Sequence, residues 1–143
     1  MLNKNCKIMI EREIFINYNG KKFSVKFPNV GQIMDIEALK MGLTGGKYGT
    51  FAASGIKSMY FVLDMVDAIA FFSVMCPRLK NFITEEDADK DYTQMNPTSV
   101  KPLVDIYKRD VMPWYNGIMS QLYSGANEAI EESESQHAEA GSE

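Results

Sequence analysis

Apolar and polar residues alternate along the start of the chain, from Lys7 to Phe27. A period of two is typical of a β-strand that buries one face. Asn19 and Gly20 divide the alternation into two runs, and both residue types accept the positive φ angles of a type I′ turn. We therefore predict a hairpin of two antiparallel strands. Its inward positions are Ile8, Ile10, Ile14, Ile16 and Tyr18 in the first strand, and Phe23, Val25 and Phe27 in the second.

Arg12 and Pro28 are predicted to limit the two strands at the open end of the hairpin. Arg12 interrupts the apolar face, so the first strand either bulges at Arg12 or begins only after it. Pro28 has no amide proton to donate and is predicted to end the second strand.

A first helix is predicted to follow Pro28. Asn29 is its N-cap, and Gln32 is placed to complete a capping box. Gly42 is predicted to close the helix in a left-handed conformation. The apolar stripe of this helix consists of Ile33, Ile36 and Leu39, flanked by Met34 and Met41.

The most apolar stretch, residues 50–76, predicts a long second helix that ends before Pro77. It follows a flexible glycine-rich loop over residues 43–49. Asp64 and Asp67 lie in the middle of the apolar stretch, and each costs roughly 2.5–3.5 kcal/mol at the centre of a bilayer. We therefore expect a buried central helix rather than a membrane span. The alternative is a helix with one face covered by another subunit.

A polar connection over residues 84–98 is predicted to be exposed. A last helix then begins at a cap formed by Thr98 or Ser99, and Pro113 is predicted to kink it near its middle. Its apolar positions recur at spacings of three and four. They are Leu103, Tyr107, Val111, Trp114, Ile118 and Leu122, and Gly125 is predicted to end the helix.

The net charge of -4 hides an uneven distribution along the chain. Residues 124–143 contain six glutamates and no lysine or arginine, which leaves residues 1–123 with fifteen basic and thirteen acidic residues. The terminal segment has too little apolar surface to offset the entropy of ordering, so we predict a disordered acidic tail. Residues 1–123 are then one α+β domain, in which the hairpin precedes a bundle of three to four helices.

Asp64 and Asp67 are the first candidates for chemistry, because a spacing of three places both carboxylates on one helical face. Two carboxylates are too few ligands for Mg²⁺ or Ca²⁺. We therefore expect the pair to be structural, with Lys57, Lys108 or Arg109 as ionic partners.

The remaining reactive side chains are sparse. Cys6 and Cys76 lie far apart in the sequence and predict reduced thiols rather than a disulfide. The single histidine, His137, lies in the acidic tail, where nothing holds it as a general base. The Gly46-Lys47 pair lacks the upstream glycine of a P-loop, and Tyr48 follows it where a P-loop has Ser or Thr. We predict a protein that is not an enzyme and has no metal site and no cofactor.

Ten methionines, several beside aromatic residues, either fill an irregular core or form an adaptable surface for apolar segments of other proteins. Because no catalytic centre is found, we predict a protein that binds other proteins, and because the central helix is apolar nearly all round, we predict a homo-oligomer. Nucleic-acid binding is not expected, since the basic residues form no dense cluster, and membrane association is not expected either. The candidate partner-binding residues are Phe15, Tyr18, Phe23, Tyr60, Trp114 and Tyr115.

A family resemblance rests on two segments, Phe15-Ile-Asn-Tyr-Asn-Gly-Lys-Lys-Phe-Ser-Val-Lys-Phe-Pro28 and Gln32-Ile-Met-Asp-Ile-Glu37. Their order resembles the hairpin and first helix of small proteins of tailed phages that infect gut bacteria, in particular tail assembly chaperones and related virion proteins. The resemblance implies a partner among the phage tail or virion proteins. Such a chaperone keeps a long tail component soluble in the host cytoplasm during assembly. The alternative is a structural virion subunit, such as a ring, connector or accessory layer, packed as an oligomer.

Overall fold

The computed structural model describes residues 12–83, 85–87 and 89–124. They form two compact units, which divide after Val111. An antiparallel hairpin followed by helices confirms the predicted α+β class. The predictions for residues 7–11 and for the acidic tail beyond residue 124 lie outside the described residues, and a single domain over residues 1–123 stays a prediction.

The hairpin has the predicted position and turn. Strand β1, Glu13–Tyr18, pairs with strand β2, Lys21–Lys26. Asn19 and Gly20 have φ angles of 50° and 78°, as a type I′ turn requires. The first strand begins directly after Arg12, which agrees with one of the two alternatives. On the inner face, the register places Ile14 opposite Val25 and Ile16 opposite Phe23.

Helix α1, Val30–Leu43, begins with the predicted capping box. Asn29 Oδ1 accepts the amide proton of Gln32 over 2.9 Å, and the Asn29 amide donates to Gln32 Oε1 over 3.0 Å. This reciprocal pair satisfies amides that have no partner inside the helix.

The predicted closure of α1 at Gly42 is wrong. Gly42 lies inside the helix, and the positive φ angles belong to Gly45 and Gly46, at 60° and 80°. These two glycines close the helix, because the Gly46 amide donates to the Met41 carbonyl oxygen over 2.8 Å and the Gly45 amide donates to the Gly42 carbonyl oxygen over 3.3 Å.

The predicted second helix is two helices. Helix α2, Tyr48–Ala53, and helix α3, Lys57–Met75, are separated at Gly55, whose φ is 72°. Residues with a side chain rarely adopt this backbone conformation. Gly55 therefore marks the break between α2 and α3, which the apolar pattern does not reveal. Helix α3 ends before Pro77, as predicted.

Helix α3 is the centre of the first unit. It packs against α1, α2 and helix α4, Pro97–Ile106. It is long and apolar enough to cross a membrane by length and composition alone, a test that the core helix of a soluble protein also passes. Its buried residues are Leu63, Val66, Ala68, Ala70, Phe71 and Phe72.

The connection before α4 is more buried than predicted. Asp87, Tyr92 and Met95 are all less than a tenth exposed. The chain turns inward there because Asp87 accepts hydrogen bonds from the Ser99 hydroxyl and from Lys90 Nζ, which fastens the connection to the first turn of α4.

The predicted caps of helix α4, Thr98 or Ser99, are wrong, because the N-cap lies two positions before Thr98. Asn96 is the N-cap, and its side-chain oxygen accepts the amide proton of Thr98 over 3.0 Å. Pro97 occupies the first helical position, where no amide proton is required. The helix therefore begins directly after Asn96.

The helix that was predicted to run on to residue 124 is not regular throughout. A π-helical turn, Tyr107–Val111, follows α4, and helix α5 covers residues 112–124 in the second unit. Pro113 has no amide proton to donate to the carbonyl oxygen four residues earlier. The wider π-helical turn lies directly before this missing α-helical hydrogen bond.

Candidate protein-binding surface

Polar side chains of α1, α2 and α3 meet around Asp67. The Tyr48 hydroxyl donates a hydrogen bond to Asp67 Oδ1 over 2.7 Å. Lys40 Nζ lies 3.7 Å from the same oxygen and 2.9 Å from Glu37 Oε2. It also lies 5.5 Å from the centre of the Tyr48 ring. The cluster therefore ties three helices together through side chains that are distant in sequence.

Burial dominates the electrostatics of this cluster. Burial raises the pKa of Asp67, while the hydrogen bond from Tyr48 and the charge of Lys40 oppose the rise. Burial and the hydrogen bond to Asp67 also raise the pKa of Tyr48 well above its ordinary value. Tyr48 therefore remains a proton donor at neutral pH, and Asp67 is held as its acceptor.

Asp64 has a different partner. Its Oδ2 lies 3.0 Å from Lys108 Nζ in the π-helical turn, which confirms one of the predicted ion pairs. Arg109 instead pairs with Asp110, and the partner of Asp67 among the lysines is Lys40, which the sequence analysis missed. Within the described residues, no group of three His, Cys, Asp or Glu side chains is arranged to hold a metal ion. Through the contacts of Asp64 with Lys108 and of Asp67 with Tyr48 and Lys40, the two aspartates link α3 to neighbouring elements.

Cys76 lies at the end of α3 with 7% of its surface exposed. Burial raises the pKa of its thiol, which disfavours the reactive thiolate. The other cysteine, Cys6, and His137 lie outside the described residues.

The outer side of α1 carries uncovered apolar side chains. Val30 is 75% exposed, Met34 is 65% exposed and Met41 is 47% exposed. At 3.6 residues per turn these three side chains lie within about 40° of one another around the helix axis. Ala38 and Gly42 lie at neighbouring angles around the helix axis and are also exposed. We call these five residues the α1 outer face.

The opposite side of α1 is the one that packs. Ile36 is buried with 1% of its surface exposed, and Ile33 is partly buried. Helix α1 is therefore apolar on two sides, of which one is covered by the fold. The predicted stripe of Ile33, Ile36 and Leu39 is correct in its centre, but Leu39 is 38% exposed, and the flanking methionines face outward.

A groove adjoins the α1 outer face, between α1 and the second half of α3. It consists of two neighbouring cavities of about 740 and 400 Å³, and both are lined by Leu39, Leu43 and Ser73. Ala38 and Gly42 line the larger cavity, so they belong to the groove and to the outer face. The small side chains at these two positions let a partner approach the helix backbone closely. We call this feature the α1 groove.

Two of the predicted partner-binding aromatics lie on opposite faces of the hairpin. Phe15 is on the outer face, 56% exposed, with Lys22 Nζ 4.4 Å from its ring centre. Phe23 is on the inner face and packs edge-on against Phe82, with ring centres 5.4 Å apart. Phe15 is thus the hairpin aromatic that is open to solvent.

The other four candidates also differ in exposure. Tyr60 lies in the first turn of α3 and is exposed, whereas Tyr18 and Tyr115 are each 3% exposed and Trp114 is partly buried. A partner-binding role for these residues stays a prediction.

The α1 outer face was missed because methionine beside an apolar stripe is ordinarily interpreted as part of the core.

Comparisons with protein-family models, with curated proteins and with solved structures found no match.

Proposed function

We propose that this chain is a non-enzymatic assembly protein that binds an apolar segment of another protein on the α1 outer face and in the α1 groove. The supporting observation is that Val30, Met34 and Met41 form an exposed apolar row on a helix whose other side is packed. Exposed apolar rows beside a groove are the usual receptors for an amphipathic helix.

The side chains in this row suit a partner of variable sequence. Methionine is unbranched and polarizable, so Met34 and Met41 adjust to different apolar surfaces at low cost. Leu39 and Leu43 add branched apolar side chains to the lining of the groove. Such a surface holds a segment without requiring one specific side chain, which is what a protein that shields an unassembled partner needs.

The partner class in this proposal comes from the phage resemblance of the hairpin and first helix. Its specific form is a tail assembly chaperone that keeps a long tail component, such as a tape-measure protein, soluble in the host cytoplasm. The α1 outer face would cover apolar helical segments of that component until the tail assembles.

The test is co-purification of the full chain with tape-measure segments from tailed phages of gut bacteria. Met34→Lys with Met41→Lys should weaken binding at least about tenfold, equivalent to about 1.4 kcal/mol. The control is Asn116→Lys with Ser120→Lys, two exposed polar positions that lie four residues apart on one face of α5. Binding that is equal in both variants, or no binding to any tail component, would reject the proposal.

A structural virion subunit is the second candidate. It is favoured by a separate exposed apolar group at the start of α3, where Ile56, Tyr60 and Phe61 are each between 45% and 54% exposed. In an oligomer this group would face a second copy. Mass spectrometry of purified virions separates the candidates, because a subunit is found there in many copies and a chaperone is left behind. Sedimentation of Tyr60→Lys with Phe61→Lys then shows whether the oligomer depends on this group.

A further inference from the structure

A second groove lies between the hairpin and the segment that follows α3. Its volume is about 590 Å³. One wall consists of Lys21, Lys22, Phe23 and Ser24 of β2, and the facing wall includes Arg78 and Phe82. Successive side chains of a strand point to opposite faces of a sheet. Because four consecutive residues line the same space, the groove runs along the edge of β2. We call it the β2 groove.

The hydrogen-bond phase of the hairpin shows which backbone groups face this groove. A two-residue turn places Tyr18 and Lys21 in a hydrogen-bonded pair, and such pairs alternate along an antiparallel ladder. The Phe27 amide donates to the Arg12 carbonyl oxygen over 2.6 Å, which agrees with this phase. Lys22 and Ser24 are at the intervening positions. Their amide and carbonyl groups point away from β1, towards the β2 groove.

The groove is also strongly basic. Lys21, Lys22 and Arg78 line it, and among the described residues none of the three forms an ion pair and no Asp or Glu lines the groove. Lys21 Nζ lies 5.6 Å from the centre of the Phe82 ring, which holds the ammonium beside the groove without neutralising it.

The far wall is fixed relative to the strand. Phe82 packs on Phe23, and the Asn19 side-chain amide lies 3.5 Å from the Phe82 carbonyl oxygen. The width of the groove is therefore set by contacts within the fold, and Phe23, Met75 and Phe82 add apolar side chains to its basic lining. An outward-facing strand edge, three cations that form no ion pair among the described residues, and apolar lining side chains occur together.

We propose that the β2 groove binds an acidic, extended segment of a partner protein as a third strand alongside β2. The partner backbone exchanges hydrogen bonds with Lys22 and Ser24, and its carboxylates pair with Lys21, Lys22 and Arg78. Strand addition of this kind draws affinity from main-chain hydrogen bonds and specificity from the side-chain pockets. A nucleic acid or an anionic membrane would match the charge but would leave the strand edge without partners. This surface is separate from the α1 groove and does not depend on the function proposed for it.

The test uses the full chain and a blocked peptide of sequence Thr-Glu-Glu-Val-Glu-Glu-Thr, whose neighbouring glutamates point to both faces of an added strand, with a Lys-for-Glu version of the same peptide as the charge control. We expect the acidic peptide to bind and to shift and protect the amide signals of Lys22 and Ser24 in NMR spectra. Lys21→Glu, Lys22→Glu and Arg78→Glu together should weaken binding at least tenfold. Lys47→Glu with Lys57→Glu, two exposed lysines outside the groove, should leave it unchanged.

A backbone readout separates strand addition from simple charge attraction. Acidic peptides N-methylated at alternate residues, in both phases, cannot make the full ladder, and at least one phase should lose binding at least tenfold on the unmodified chain. This result stands even if the triple variant fails to fold. Equal binding of all N-methylated peptides, equal binding of the lysine peptide, or binding of oligothymidylate or phosphatidylserine vesicles without binding of the acidic peptide would each overturn the proposal.

Discussion

Gly42 and Gly45 are three residues apart and have opposite roles. Gly42 is helical, and a Cβ there would meet no heavy atom within 4 Å. Gly45 has a φ of 60°, which costs an L side chain roughly 1–2 kcal/mol. Gly42 is the first glycine after the apolar stripe, and the stripe does not record the hydrogen bonds by which Gly45 and Gly46 close the helix instead.

Alanine scanning of these two glycines tests that difference. Gly42→Ala should raise the free energy of unfolding by roughly 0.5–1 kcal/mol, because alanine is the better helix former. Gly45→Ala should lower it by about 1–2 kcal/mol. Urea denaturation measures both. A loss of stability in Gly42→Ala would contradict the helical conformation of Gly42.

The Tyr48 hydroxyl bonds to a largely buried carboxylate, so its removal should be costly. Tyr48→Phe should lower the free energy of unfolding by about 1.5–3 kcal/mol, the range for hydrogen bonds to charged groups. Tyr60→Phe is the matched control, since Tyr60 is exposed and should change stability by less than about 0.5 kcal/mol.

The cost of Tyr48→Phe should also depend on pH. Asp67 has a raised pKa in the folded state, so its contribution to stability is fully present below the unfolded pKa and declines as the pH rises through the folded value. The Tyr48 hydrogen bond lowers that pKa, and its loss extends the decline. The stability deficit of Tyr48→Phe should therefore be larger at pH 7 than at pH 4, and an equal deficit at both values would contradict this account.

At the scale of elements, local signals were predictable and long-range ones were not. The type I′ turn at Asn19-Gly20 and the capping box of Asn29 and Gln32 involve neighbours in sequence, and both were predicted. The contact between Tyr48 and Asp67 joins residues nineteen positions apart, which no periodicity records. The break at Gly55 was missed because a single glycine is tolerated inside a helical pattern and does not by itself mark a helix end.

The two sides of α1 make a prediction about the whole helix. Ile36→Ala should lower the free energy of unfolding by about 2–5 kcal/mol, since Ile36 is buried. Met34→Ala should change it by less than about 0.5 kcal/mol, since Met34 is exposed. Thermal or urea denaturation of the two variants measures this contrast. Comparable losses would mean that α1 buries both sides, and the α1 outer face would not exist as a surface.

At the scale of the molecule, the fold class was predictable because the alternation and the helical spacings are strong signals. The candidate surfaces were not, because exposure depends on which face of each element the rest of the chain covers. The first unit presents two surfaces of different chemistry, an apolar one on α1 and a basic one at β2. Lysine and arginine totals in the sequence gave no sign that Lys21, Lys22 and Arg78 converge.

Because Cys76 is buried, chemical labelling of its thiol measures how often the surrounding structure opens. Cys76 is 7% exposed, its thiol has a raised pKa, and it also lines the β2 groove. In a Cys6→Ser background, a reagent too bulky to enter that groove reaches Cys76 only when the surrounding structure opens, so its labelling rate at saturating concentration equals the opening rate of the end of α3. Phe72→Ala, which removes a buried ring one turn earlier, should accelerate labelling, whereas Phe15→Ala should not. Stopped-flow thiol labelling thus reports how often this fold exposes its own interior.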